Sequence, residues 1–509
     1  MKLKVKGIID PFYVQTLCMI FFPGAKFSED APEDGSVPMV EVCVEEKDGG
    51  VFSTARFVVN GKIASADNFT PYKEGVHGPR TAKISCGAAV ITAGKQIFGQ
   101  VSEWGMLTGV RPSKLAAEVL LHTDSREAAE ALLQEEYYLT ANKAHLVTEV
   151  ASREMEILRR TNSRHCSLYV SIPFCPSKCT YCSFTSCASP RLFSLIPDYL
   201  VALKADIDRT LETVRRLGLT VDSVYVGGGT PTILTADQLE FLLASITAHI
   251  DSATLIEFTL EGGRPDTITQ EKLAIARKYG VDRLSVNPQT LNNEILRAIG
   301  RNHTVEEFLS AYRMAEASGI PHINTDLIAG LPGESAESFR ASVDAVLALS
   351  PDNVTVHTFC VKRAADILRA DSNIYNRETE TAKESVTYSQ STILSAGYVP
   401  YYMYRQKNTV GNFENVGFSK PGAEGVYNVF MMQEAHTIFG VGAGAVTKLV
   451  CRRPDASVYV ERLFYPKYPY EYLAEKENGS SRATDMERKI TEFYKVHKEV
   501  LNGIINETR

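Results

Sequence analysis

The tightest constraint on the fold lies between Ser167 and Cys360, where six short β-branched runs alternate with longer helical stretches. The runs are SLYVSI (167–172), VDSVYVGGG (221–229), LIEFTLEG (255–262), RLSVNP (283–288), HINTDLIAG (322–330) and NVTVHTFC (353–360). Helical patterns fill the gaps at 193–217, 235–249, 269–279, 291–318 and 336–349. Such alternation implies parallel strands joined by right-handed crossovers. Several runs are largely apolar, as expected of strands covered on both faces. Their C-terminal ends are not apolar. In order they deliver a cysteine loop, then Gly227-Gly228-Gly229-Thr230, Glu261, Asn287 and Gln289, Asp326, and His357. In parallel barrels the strand C-termini share one face, and that face holds the active site. The expected fold class is therefore α/β: a partial (β/α)6 TIM-like barrel at 166–375, an N-terminal α+β domain at 1–165 and a C-terminal α+β extension at 376–509.

The cysteine loop reads SIPFCPSKCTYCSFTSC (171–187) and holds Cys175, Cys179, Cys182 and Cys187, four of the ten cysteines in 509 residues. A chain of this length, at about 150 residues per domain, makes two to four domains with an ample core and does not depend on disulfides. Clustered cysteines then point to metal or redox chemistry. The spacing C-x3-C-x2-C directly after a strand suits three thiolates on three corners of a [4Fe–4S] cubane. Zinc is the rival, with Cys187 as a fourth thiolate, although no second C-x2-C knuckle is present. Ordinary core cysteines are the bland reading.

The net charge of −7 argues against a general nucleic-acid binder. The start, MKLKVKGIIDPFYVQTLCMIFFPG, has a basic end and a short apolar patch, but Asp10 and Pro11 interrupt it and no small-residue cleavage site follows. No apolar run reaches the roughly 20 residues of a membrane span. A cytoplasmic protein is expected. Around Asp48-Gly49-Gly50, two alternating runs predict a hairpin, and Pro112 begins a helical region reaching about Arg160. Near the end, Thr484 and Glu487 suggest a capping box. Met486, Ile490, Phe493, His497 and Val500 form the stripe of a docking helix.

The cysteine spacing with Tyr181 before the last cysteine resembles the radical S-adenosylmethionine (radical SAM) superfamily. YVSIPFCPSKCTYC, YVGGGTPT, DLIAGLPGE and GVGAGAV resemble one branch of it, the oxygen-independent coproporphyrinogen III oxidases (dehydrogenases) and their relatives. LTGVRPSKL, EGGRPDTI and NTVGNFENVGFSKPG look closest to the longer subgroup with an N-terminal extension. The resemblance implies that Cys175, Cys179 and Cys182 are the metal ligands, and that S-adenosylmethionine chelates the open iron. By the same resemblance Tyr169, Tyr181, Gly228, Gly229, Thr230, Glu261, Gln289, Arg301, Asp326 and Cys360 contact the cofactor, with Tyr169 also placed at the reacting centre. Cys360 is expected to act through its backbone. There are two departures: Ser171 stands where many relatives have histidine, and Cys187 lies farther along than the family's extra cysteine.

The implied reaction converts two propionates of coproporphyrinogen III to vinyls through a 5′-deoxyadenosyl radical. It calls for a low-potential donor, flavodoxin- or ferredoxin-like, and an electron acceptor of unknown identity. Arg405 and Lys407, in YYMYRQK, are candidates for holding substrate propionates, as are Arg264, Arg363 and Lys420. A heme chaperone is the alternative and would use an axial ligand such as His303, His357 or His436. Another radical reaction, such as heme breakdown or RNA modification, is a third reading.

Overall fold

The computed structural model describes residues 1–32, 34–73, 78–99, 101–182, 187–360, 379–406, 409–453, 457–477 and 482–497. Two compact units result, one of residues 1–152 with 405–408, the other of 153–404 with 409–509.

In the first unit, β1 (Lys2–Gly7) pairs in parallel with β2 (Met39–Lys47), and β2, β3 (Gly50–Val59) and β4 (Lys62–Pro71) follow as an antiparallel meander. The β2–β3 hairpin closes between Lys47 and Gly50, with Asp48 and Gly49 both at positive φ, as a type I′ turn demands. A helix of small residues, Gly78–Phe98, covers β3 and β4. The helical region from Pro112 is three helices, Pro112–Leu121, Arg126–Tyr137 and Ala141–Leu158. The last of these crosses into the second unit.

The second unit is built on β5 (His165–Ile172), β6 (Thr220–Gly228), β7 (Glu257–Glu261), β8 (Arg283–Ser285), β9 (His322–Ala329) and β10 (Asn353–Thr358). All five neighbouring pairs are parallel and in chain order, the (β/α)6 arrangement. Among the described residues, the strands after residue 376 all join this same sheet. β11 (Val399–Arg405) and β12 (Glu414–Ser419) extend the sheet beyond β10, with β12 antiparallel to it. β13 (Thr437–Val441) runs parallel to β5 on the other side, followed by antiparallel β14 (Val446–Arg452) and β15 (Val458–Phe464). Leu168, Val170, Val224, Val226, Phe258, Leu260 and Leu284 are all essentially inaccessible, so helices and interior side chains cover both faces.

Two expected elements differ. The stretch 291–318 is two helices, Asn293–Ala298 and Val305–Ala317. Gly300 at φ +77 ends the first, and a capping box between Thr304 and Glu307 starts the second. The final helix, Arg482–Val496, begins before Thr484, so Thr484 caps nothing. Thr484 and Glu487 instead take Arg209 and Arg216 of the helix Ile196–Arg216. Met486, Ile490 and Phe493 enter the main core, so the helix docks as its stripe implied; Val500 lies outside the described residues.

Candidate functional site

Cys175, Cys179 and Cys182 follow β5 in a loop pinned on three sides. The Thr230 N–H donates to the Phe174 carbonyl (2.8 Å), the Thr180 N–H to Ile299 (3.0 Å), and the Ser177 hydroxyl to Gly300 (3.0 Å). Cys175 and Cys179 are buried and Cys182 is half-buried. The Thr230 hydroxyl donates to the Cys175 sulfur at 3.4 Å. Burial pushes the Cys175 thiol up to about 12, so a metal must displace its proton. Cys187 sits apart in the apolar core, its backbone paired with Cys175 and Pro173. Among the described residues no three His, Cys, Asp or Glu side chains converge on a single-ion site. Thiolates that each hold a different corner of a cube have no need to converge.

The glycines end β6 against this loop. A β-carbon on Gly229 would stand 2.5 Å from the Phe174 carbonyl oxygen and 3.0 Å from the Cys175 sulfur. On Gly227 it would stand 2.6 Å from the Glu261 carboxylate. Gly228 takes φ +109, a conformation that L side chains rarely adopt. The backbone therefore lines a cradle that only glycine leaves open.

Glu261 ends β7, Gln289 follows β8, Asp326 lies in β9 and Arg301 follows the helix Asn293–Ala298. Burial and then the Asp326 charge push the Glu261 carboxyl up to about 8, against a backbone N–H from Gly228. Gln289 holds φ +70, a strained conformation for a non-glycine residue. It is fixed there because its N–H donates to Asp326 and its carbonyl accepts from Ile328. Its side-chain Oε1 is buried without a hydrogen-bond partner among the described residues. Asp326 accepts from the Asn324 amide at 2.8 Å, and its own N–H donates to Asn287 Oδ1 at 3.2 Å. Arg301, in the break between the two helices, is 4% exposed. It donates to the carbonyls of Gly263 (2.7 Å) and Asn287 (2.6 Å) and to the Tyr181 hydroxyl (3.2 Å), while Nε has no partner among the described residues. Buried polar atoms are normally paired. An acceptor on Gln289 and a donor on Arg301 that are unpaired among the described residues are what a polar zwitterionic cofactor would satisfy. The residues fit both a three-thiolate cluster and S-adenosylmethionine.

Tyr169, on β5, stacks on Tyr225 at 6.1 Å, and Tyr225 on Tyr427 at 4.7 Å, an aromatic wall in which only Tyr169 is among the expected site residues. Cys360 follows β10 and pairs with Thr409 in an isolated bridge. The 303, 357 and 436 histidines separate. His436 lies by the N-terminal ends of β5 and β6, bonded to Ser167 (2.7 Å) and Thr161 (2.9 Å), at the opposite end of the strands from the cysteines. His303 is buried, and burial followed by Arg301 and Arg264 depresses its pKa to about 3. His357 is at the rim, 3.7 Å from Asp326 and 3.4 Å from the Tyr404 hydroxyl.

Of the basic substrate candidates, Arg405 is committed elsewhere. Its guanidinium lies over Trp104 at 5.2 Å and donates to the Leu107 carbonyl. Lys420 caps the Ser350 carbonyl at 2.7 Å, by the N-terminal end of β10. Arg264 binds Asp266 and Ser177. Lys407 and Arg363 lie outside the described residues. A second buried polar hub escaped the sequence reading. Arg283 joins Glu257 (3.5 Å), Asn353 and the carbonyls of Ala423 and Glu424 at the N-terminal ends of β7, β8 and β10. Among the described residues no helix is long and apolar enough to cross a membrane.

The radical SAM superfamily model matches residues 169–346, which hold all three loop cysteines, Glu261, Gln289, Arg301 and Asp326. The oxygen-independent coproporphyrinogen-III oxidase-like protein HemZ of Bacillus subtilis is 39% identical over 378 residues, 74% of this chain and 75% of that protein. The heme chaperone HemW of Lactococcus lactis is 30% identical over 55% of this chain and 68% of that protein. Among solved structures, coproporphyrinogen III oxidase (HemN) from Escherichia coli aligns with 64% of this chain and 72% of its own, at 23% identity and a TM-score of 0.49. With 39% identity across three quarters of both chains, and a superfamily match that encloses the cysteine loop and its rim, this chain belongs to the radical SAM superfamily, whose cofactors are a [4Fe–4S] cluster and S-adenosylmethionine, and within it to the family of oxygen-independent coproporphyrinogen-III oxidase-like proteins.

Proposed function

We propose that the chain catalyses oxygen-independent oxidative decarboxylation of coproporphyrinogen III to protoporphyrinogen IX. The observation that carries the reading is the HemZ match, 39% identical over 74% of the chain, against 30% identity over 55% and 26% over 64% for two of the heme chaperones. When bound, the cluster and S-adenosylmethionine supply an electron and a hydrogen-abstracting adenosyl radical. The chain's residues do the holding. Cys175, Cys179 and Cys182 would take three irons. Arg301, fixed by two carbonyls and Tyr181, is the cation for the methionyl carboxylate. The glycine cradle and Glu261 receive the amino group, and Asp326 with Gln289 the ribose side. Tyr169, Tyr225 and Tyr427 wall the centre and keep water out. Each propionate loses a β-hydrogen atom, carbon dioxide and one electron to an acceptor, leaving a vinyl group. A low-potential flavodoxin- or ferredoxin-like donor is the partner this chemistry asks for.

A heme chaperone is the second reading, favoured by the HemW relatives. It needs an available imidazole. His436 has both ring nitrogens bonded and His303 is sealed from solvent, which leaves His357 at the rim. The test is anaerobic: reconstituted, reduced protein with S-adenosylmethionine and coproporphyrinogen III, read by mass spectrometry. Loss of two carbon dioxide units with deoxyadenosine formed supports the enzyme. A Soret shift on adding heme, with no turnover of coproporphyrinogen, overturns it in favour of the chaperone.

A further inference from the structure

Arg264 follows the Gly262-Gly263 turn after β7 and is almost fully buried. Its guanidinium is clamped along one edge by Asp266, Nε to Oδ1 at 3.1 Å and Nη2 to Oδ2 at 3.2 Å. The opposite corner, Nη1, donates to the Ser177 hydroxyl at 2.8 Å. Ser177 lies midway between Cys175 and Cys179, and its hydroxyl donates a hydrogen bond to the Gly300 carbonyl.

We propose that Arg264 sets the reduction potential of the cluster held by the cysteine loop, with Asp266 as the opposing charge. This rests on the cluster reading and on nothing about the substrate. A [4Fe–4S] core with three thiolates is anionic and becomes more so on reduction. A fixed buried cation beside it stabilises the reduced form and raises the potential. Arg301 is a second buried cation at the loop, but the cofactor carboxylate is expected to neutralise it, and Lys178 in the loop itself is exposed to solvent. Arg264 keeps its charge whether or not the cofactor is bound. Asp266 does not cancel it, for two reasons. The carboxylate takes the edge away from Ser177, and its side chain is 24% exposed against 4% for the arginine, so solvent screens it more. The bidentate clamp holds the guanidinium plane, which a lysine could not reproduce.

The experiment is a redox titration of the full chain, reconstituted anaerobically without S-adenosylmethionine and followed by electron paramagnetic resonance. Wild type, Arg264→Gln, Arg264→Lys and Asp266→Asn are compared at measured iron and sulfide content. The expected result is a midpoint shifted negative in R264Q and positive in D266N, with R264K between R264Q and wild type. Structural damage would not move the two neighbours in opposite directions. Midpoints that stay put, or that shift the same way in R264Q and D266N on intact clusters, overturn the proposal alone. If R264Q takes up no cluster, D266N decides: a positive shift supports the proposal and any other result overturns it. A wild-type chain that takes up no iron or sulfide overturns the cluster reading as well.

Discussion

The Glu261 carboxylate occupies the space beside Gly227 so closely that a β-carbon there would stand 2.6 Å from Oε2, and equally close to the Tyr225 ring. Tyr225 is stacked between Tyr169 and Tyr427, so the group that gives way is the side chain of Glu261 at the end of β7. Gly227→Ala should therefore displace the carboxylate and leave the cysteine loop intact. Overpacking of this kind costs about 1–3 kcal/mol, or roughly tenfold or more in affinity. Equilibrium dialysis with S-adenosylmethionine at matched iron content measures it. Wild-type affinity in G227A would mean that Glu261 takes no part in holding the cofactor.

Arg301→Lys keeps a positive charge and loses the fork. The guanidinium reaches Gly263, Asn287 and Tyr181 together, and an ammonium cannot span all three. Each buried carbonyl left unpaired costs about 1–3 kcal/mol. R301K should lower the unfolding midpoint and weaken S-adenosylmethionine binding by about tenfold or more. Iron content should stay near wild type, since none of the three contacts is to a cysteine. Calorimetry and binding on one preparation separate the two effects. R301K with unchanged melting and binding contradicts the assignment.

Much of this site was legible because its residues interrupt a pattern. Glu261, Gln289 and Asp326 stand out as polar endings on apolar runs, and buried parallel strands give such runs whatever the protein does. Arg301 was legible by resemblance but was placed on a helix. The break was signalled locally by Gly300 and by the Thr304–Glu307 box. Arg264 was read as a basic residue awaiting substrate. Its contact to Ser177 spans 87 positions and leaves no periodic trace. The same limit applies to Arg405. A positive charge in an aromatic stretch does not say which face it serves, and here it lies over Trp104.

The Glu261 carboxyl makes the cofactor-free fold pH-dependent. Its folded pKa rises from 4.5 to about 8, through burial and then Asp326. Between those values the unfolded chain has lost the proton and the folded chain retains it. The favourable contribution is whole below about 4.5 and disappears as pH climbs through about 8. Glu334, raised to about 7, and Asp282, raised to about 6, have the same sign but finish lower. His436, lowered to about 4, has the opposite sign and acts only below its ordinary 6.5. Between about pH 7 and 8 the falling slope belongs chiefly to Glu261, on the order of 1 kcal/mol. Urea midpoints across that window should drop in wild type and stay level in Glu261→Gln. Equal slopes in the two proteins would place the titration elsewhere.

Cys187 and Cys179 answer the question of one metal ion against a cube. Cys187 belongs to the apolar core with Phe174 and Tyr199, and its backbone pairs with Cys175 and Pro173. A fourth thiolate on zinc would have to leave that core. Cys187→Ala removes a buried sulfur and nothing polar, so it should cost about 1 kcal/mol of stability and leave iron and acid-labile sulfide per chain unchanged. Cys179→Ala takes away one corner ligand and should lower both metal and sulfide after identical reconstitution. Metal analysis of the two variants, with zinc measured beside iron, is decisive. Should C187A lose metal as C179A does, with zinc as the metal lost, a four-thiolate site would replace the cluster and the rim would need another explanation.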